Sequence, residues 1–468
     1  MLDGVTNRSA SLRDTPPPAA ALREAGSERA ARWGALEWFI IAQTVMPALL
    51  YLPGTQALRV LIRVVPFALS LVGLALWLLS ERSPDEPRHP ARPWLASGAV
   101  VLGVMILHPT TNSPVAGLAQ AALYLSVMAP AFWVPRLVSS VEQLNRILAI
   151  VLASCGINAI VGVLQVYDPD RWLPQEFSTL VVESYQGVLT YVGPSGEAIV
   201  RPPGLSDGPG AVCGPGMVAA FLGLFYFTRP IGWLRRLVAL GCSFAGITAV
   251  YLSQVRTSLL IAAGMCAAYC IVVASQRRRA HAMAFAGTSV AIISGAFVAA
   301  LMLGGDSIAD RFSTLFADDP TAVYYESRGN QLEHGFTNLL VDYPLGAGLG
   351  RWGMMRAYFG DESNSASPPI WAQLQIPAWI LDGGIVLLIL YGVALVRAAV
   401  HELVLGRSKD PAVAPVAAVV FALNAGTLAL MLGFTPFTTQ VGLQYWVLAG
   451  ALSGLARTSE GSTGARPS

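Results

Sequence analysis

The sequence predicts an all-α polytopic integral membrane protein, with about 12 transmembrane helices and one large outer loop between the ninth and the tenth. Three observations lead there. Of the 468 residues, 54% are hydrophobic and only 12% charged, about half the charged share of an ordinary soluble domain. Apolar runs of roughly 17 to 25 residues, the length a helix needs to cross a hydrocarbon core, recur along the chain. Arg and Lys gather in alternate short loops, the charge asymmetry of a multispanning protein.

Taken in order, residues 1–32 are polar and Arg-bearing, interrupted by Pro16, Pro17 and Pro18, and are expected to form a disordered cytoplasmic tail rather than a signal peptide. Residues 33–303 hold the first nine spans, at about 33–53, 58–80, 94–108, 115–134, 147–167, 209–228, 234–253, 258–275 and 282–303. An outer loop near 168–208 interrupts them. There "VLTYVGPSGEAIVRP" alternates apolar residues around a Gly-Pro-Ser-Gly turn and reads as a short hairpin ending at Arg201. Residues 304–375 form the large extracytoplasmic loop, in which Leu332, Phe336, Leu339 and Leu340 recur at helical spacing before Pro344. That pattern predicts an amphipathic helix. Residues 376–456 hold the last spans, at about 376–399, 412–434 and 441–456, and 457–468 form a second cytoplasmic tail.

Orientation follows from the basic loops. Arg82, Arg88 and Arg92, Arg136 and Arg146, Arg229, Arg235 and Arg236, Arg277 to Arg279, and Arg397, Arg407 and Lys409 fall on one side, whereas "HPTTNSP" and "FTPFTTQ" on the other carry no Lys or Arg. Both termini are therefore expected in the cytoplasm. A net charge of only +2 gives no reason to expect a nucleic-acid partner. The five cysteines lie in or beside apolar runs without metal-ligand spacing and read as small buried hydrophobes. No His/Asp/Glu cluster argues for a metal, and no cofactor is expected.

Three arginines break the charge bias: Arg201, Arg256 and Arg328 sit on the outer side, near the apolar boundary. A guanidinium there is costly unless paired, hydrated or used. Each is a candidate ligand for an anion, phosphate above all, because the planar fork grips its oxygens with two hydrogen bonds; the alternative is an interfacial side chain snorkelling to water. In "PLGAGLG", Gly346 and Gly348 could bring backbone amides up to a phosphate, or could simply turn the chain back to the membrane. Asp361 and Glu362, with His334, are the outer groups able to accept a proton from a sugar hydroxyl.

Three stretches, "RPPGLSDGPGAVCGPGMVAAFLGL", "SQVRTSLL" and "SRGNQLEHGFTNLLVDYPLGAGLG", are followed by a polar patch and "LDGGIVLLILYGVAL". From about the fifth span onward the chain thereby resembles the bacterial O-antigen ligase and polymerase superfamily. These are multispanning inverting glycosyltransferases that use glycans carried on undecaprenyl diphosphate. The resemblance implies an enzyme of the bacterial cytoplasmic membrane acting at its outer face, in contact with membrane lipids. Its donor would be a polyprenyl-diphosphate-linked oligosaccharide and its acceptor another glycan or a surface molecule. It also implies that Arg201, Arg256 and Arg328 hold the carrier diphosphate and that Asn364 lies in the substrate site. Where ligases carry a His-Asn pair before the tenth span, this chain has Ser363-Asn364. A serine is no base at neutral pH, so Glu362, Asp361 or His334 is expected to take that role. The competing class is a transporter or flippase for a lipid-linked or small anionic substrate; few ionisable residues fall mid-span, which counts against it.

Overall fold

The computed structural model describes residues 33–81, 86–174, 190–192, 198–206, 208–317 and 319–463. The expected N-terminal tail, the turn of the hairpin and the end of the chain from 464 lie outside these residues. Thirteen helices frame the molecule: α1 (Ala35–Val45), α2 (Arg59–Leu79), α3 (Arg92–Met105), α4 (Pro114–Met128), α5 (Val141–Tyr167), α6 (Cys213–Phe227), α7 (Trp233–Ser253), α8 (Arg256–Ser275), α9 (Arg279–Ala317), the short α10 (Gly353–Phe359), α11 (Gln375–Gly406), α12 (Val413–Leu430) and α13 (Gln440–Thr463). Between α5 and α6 lies an antiparallel pair, β1 (Thr190–Val192) and β2 (Ala198–Val200), with Thr190 opposite Val200. This is the hairpin expected around the Gly-Pro-Ser-Gly turn.

Among the described residues eight helices, α2 (with its lead-in from Thr55), α4 (with its continuation to Arg136), α5, α7, α8, α9, α11 and α12, are long and apolar enough to cross a membrane. They correspond to eight of the twelve expected spans. The stretches at 33–53, 94–108 and 209–228 fold as shorter apolar helices, and α13 runs on through a polar end to Thr463. Local chemistry sets several boundaries: Ser113 accepts a hydrogen bond from the Ala116 amide, with Pro114 in the first turn of α4, and Ser140 caps α5 through the Gln143 amide. The bundle's outward faces are apolar as well, with Leu79, Val100, Leu107, Ile157, Met302 and Val396 exposed. A surface of that kind is covered by lipid, which makes this a membrane protein.

With lipid outside, little hydrophobic force remains to hold helix to helix, so close packing has to do it. On α6 and α7 the contact is made of small residues. A Cβ on Gly223 would lie 2.4 Å from the Ala239 carbonyl, and one on Gly246 would lie 2.5 Å from that of Gly216. Ser243 Oγ donates to the Ala220 carbonyl at 2.7 Å across the same seam. Elsewhere the core is aromatic: Trp379 stacks on Tyr391 at 4.6 Å, and Phe437 and Trp446 close around them.

The end of the bundle holding the 86–92 and 136 segments is tied by one carboxylate. Glu86 accepts from Trp77 Nε1 (2.8 Å) and pairs with Arg136 (2.6 Å) and Arg92 (3.3 Å). Burial raises the Glu86 pKa, but the hydrogen bonds from Arg136 and Trp77 and the charge of Arg92 outweigh it and hold the carboxyl down to about 2. At the opposite end, α9 breaks at Gly305, and Ile308 and Leu252 pack against Gly304. The chain then runs on through residues 320–342 as a further helix containing two π-turns. The end of α7, this 320–342 helix and the start of α11 thus share one end of the bundle, where the expected site residues also lie.

Candidate functional site

Arg201 follows β2 directly and is carried onto the bundle by Gly204, whose amide donates to Gln165 Oε1 (2.8 Å) and whose carbonyl accepts from Gln165 Nε2 (2.9 Å). The Arg201 carbonyl accepts from the Gly210 amide (3.1 Å), and its Nε donates to the Ser253 carbonyl (3.4 Å). Burial lowers the pKa of this guanidinium, a cost that a bound anion would offset. Ser253 ends α7 and Arg256 opens α8. Two of the three expected arginines, far apart in sequence, therefore meet at one turn.

The turn holds a residue that sequence reasoning missed. Gln254 is left-handed (φ 59) and 3% exposed, and neither of its side-chain amide atoms has a hydrogen-bond partner among the described residues. A non-glycine residue there costs about 1–3 kcal/mol, and unpaired buried polar atoms add to that. Strain and unmet hydrogen bonding together, between two arginines, mark a place prepared for something other than packing. Nothing in the composition of "SQVRTS" announces the sign of that φ.

Arg328 lies on the 320–342 helix. It donates to Gln373 Oε1, which also accepts from Gln331 Nε2 at 3.0 Å. The helix is pressed against the start of α11 through Gly335, whose Cβ would lie 3.1 Å from Pro377. Between the helix and residues 370–377 opens a groove of about 430 Å³, lined by Asn330, Gln331, His334, Trp371 and Gln373 with Leu339, Ile370, Ala372 and Pro377. His334, one of the three expected bases, thus faces a cavity beside Arg328. The expected apolar stripe is altered: Leu339 is buried, but Phe336 is 45% exposed. The π-turns at Tyr325–Gly329 and Gly335–Leu339 each add a residue per turn and rotate the face that regular spacing predicts.

The other expected residues are placed elsewhere. Asn364 Nδ2 donates to the Asn112 carbonyl (2.8 Å), and Asn112 exchanges hydrogen bonds with the Asp361 backbone at 2.6 and 3.0 Å. Asn364 is thereby a tether between two loops. The Asp361 carboxylate accepts from the Ser363 hydroxyl (2.6 Å) and amide (2.9 Å), which holds its pKa below the usual range and makes it a weak base. Glu362 is exposed on the same loop. No described hydrogen bond or ion pair joins these three to Arg328 or His334.

Gly346 and Gly348 belong to a wedge. The Ala347 amide donates to the Leu381 carbonyl (2.6 Å) and the Ile385 amide to that of Pro344 (2.9 Å), so residues 344–347 fill the break of α11 at Gly383 and Gly384. A Cβ on Gly346 would meet Met105 at 2.7 Å, and one on Gly348 would meet the Thr111 nitrogen at 2.6 Å. The glycines admit backbone to backbone, and the loop has no room left for a phosphate.

Beside the wedge, Asp382 is fully buried. Its Oδ2 accepts from Tyr124 (2.7 Å) and Gln120 (3.3 Å), and its Oδ1 from Trp352 Nε1 (2.9 Å). Three donors satisfy one carboxylate and lock α4, α11 and the segment before α10 together. Among the described residues no group of three His, Cys, Asp or Glu side chains is placed to hold a metal ion. Comparison of the chain with protein-family models and with curated proteins returns no match.

Proposed function

We propose that the protein is a membrane glycosyltransferase of bacterial surface-polysaccharide synthesis, a polymerase or ligase that moves glycans from a polyprenyl-diphosphate carrier at the outer face of the cytoplasmic membrane. The observation that carries the reading is the meeting of Arg201 with the Ser253–Arg256 turn. The Arg201 guanidinium, held at the Ser253 carbonyl, and Arg256 in the first turn of a 20-residue helix would together offer a site for an anion. Loss of the glycan leaves a diphosphate, whose growing negative charge such a site stabilises. The acceptor hydroxyl attacks the anomeric carbon as the carbon–oxygen bond to the diphosphate breaks, with inversion. His334, facing the groove, is the best placed of the expected bases to take the hydroxyl proton.

The transporter reading would draw on the broken helix α11 with its buried Asp382, a pattern found at transport sites. Here the break is occupied by residues 344–347 and the carboxylate already has three donors. Neither is left to bind a passing ion.

Deletion of the gene tests the proposal. Surface polysaccharide should be shortened or lost while lipid-linked repeat units accumulate; unchanged chain length and attachment would exclude the transferase.

A further inference from the structure

We infer that the groove between the 320–342 helix and residues 370–377 is a sugar-binding subsite, in which one pyranose ring of the glycan lies on the indole of Trp371. Trp371 is 75% exposed, yet it does not sit on a loose loop. Its neighbour Ile370 donates its amide to the Arg351 carbonyl (3.0 Å), and Arg351 grips the Pro368 carbonyl at 3.1 and 3.3 Å. On the other side, Gln373 is fixed by Arg328 and Gln331. An anchored segment is therefore holding a large apolar face open beside a cavity, and such a face gains by being covered.

The chemistry around the indole selects the cover. The cavity wall is mixed: Leu339, Ile370, Ala372 and Pro377 stand beside the indole, and Asn330, Gln331, His334 and Gln373 add polar groups that a lipid chain would leave unpaired. Gln373 Oε1 accepts two hydrogen bonds, which fixes the side-chain amide, and its NH₂ has no acceptor among the described residues and can donate. Amides and an imidazole offer both donors and acceptors to ring hydroxyls, while the electron-rich indole face attracts the C–H groups on one side of a pyranose. The volume, about 430 Å³, falls in the range of small-ligand sites. Sharing Gln373 with Arg328 would place the sugar next to one of the three arginines that the resemblance assigns to the carrier diphosphate. The inference rests on the transferase reading for the source of the sugar, a lipid-linked glycan, and its binding test stands apart from that reading.

Saturation-transfer NMR on the full chain in lipid nanodiscs tests it. The probes are methyl pyranosides of glucose, galactose, mannose, rhamnose and N-acetylglucosamine, and the repeat-unit oligosaccharide released by mild acid from the host's own polysaccharide. At least one probe should show transfer to its ring C–H protons, and Trp371→Ala should weaken its binding about tenfold. Trp371→Phe should retain part of that binding, Gln373→Ala should lose it, and Trp233→Ala, an equally exposed tryptophan at the start of α7, should keep it all. Absence of transfer from every probe, or equal transfer in Trp371→Ala, overturns the subsite and leaves Trp371 as an interfacial anchor. The deletion strain separates the two claims. Trp371-dependent binding with normal polysaccharide after deletion keeps the subsite and removes the transferase. Shortened polysaccharide fully restored by Trp371→Ala does the reverse.

Discussion

The stretch from Tyr325 to Gly350 contains two regions that look equally suited to bind a ligand, and they have opposite fates. In the glycine half, the backbone amides expected to cradle a phosphate go to Leu381 and the Thr111 side chain, and each missing Cβ is space taken by another chain segment. In the helical half, His334 lines an open groove with an exposed tryptophan on its wall, and Arg328 holds Gln373 of that wall. The difference teaches that glycine spacing reports how closely backbones approach, whereas an exposed aromatic among amides reports a surface kept for something else.

The largest effect expected on this comparison falls on the wedge. Gly384 is left-handed (φ 62), and a Cβ there would lie 2.2 Å from the Pro344 carbonyl. Gly384→Val should therefore cost about 4 kcal/mol or more, read as loss of the protein from the membrane fraction. Arg328→Ala, in the other half, should keep protein level and melting temperature near wild type while removing complementation. If both variants abolish accumulation of the protein, the distinction between wedge and groove fails.

Asp382→Ala comes next. It strands the donors of Tyr124, Gln120 and Trp352 in a buried site, a loss of about 3 kcal/mol, measurable as a lower midpoint in thermal unfolding in detergent. Near-normal stability would mean that Asp382 is not the lock described here.

A smaller, pH-dependent effect belongs to the Glu86 clamp. Its folded pKa lies at about 2, below the ordinary value of 4.5, so its contribution is present above the ordinary value and is lost as pH falls towards 2. The melting-temperature gap between wild type and Glu86→Gln should therefore be full near neutral pH and should narrow as the buffer is taken below about 4. A gap independent of pH would show that the charge of Glu86 is not what ties Arg92 and Arg136.

The smallest stability effect, of about 1 kcal/mol, should be a gain. Gln254→Gly relieves the left-handed strain, so the protein should melt slightly higher, and polysaccharide length should fall because the Arg201–Arg256 turn has lost its amide. A variant that is both more stable and fully active would make Gln254 a packing residue.

Much of the fold was legible from the chain because membrane helices announce themselves one by one. The hairpin before Arg201 and the apolar stretches needed only local pattern and length. What could not be read are facts that depend on partners distant in sequence. Asp382 was visible as an acidic-Gly pair, but its donors include Tyr124 and Gln120, more than 250 residues earlier. The exposure of Phe336 follows from two π-turns that no regular period encodes, and Gln254 became conspicuous only through its φ and its burial. Of the expected site residues, Arg201 and Arg256 are brought to one turn, His334 lines the groove and Arg328 bonds to its Gln373. Asp361, Glu362 and Asn364 stand on the loop pinned by Asn112, and Gly346 and Gly348 are packed.

If the turn joining Arg201 and Arg256 holds the diphosphate of a lipid-linked glycan, as proposed, the most direct readout is the amount of lipid-linked repeat unit in a deletion strain carrying Arg201→Ala or Arg256→Ala, measured beside the amount of protein in the membrane. Lipid-linked units should accumulate and polysaccharide should shorten at unchanged protein level in both strains. Wild-type polysaccharide length with no accumulation in both would contradict the assignment.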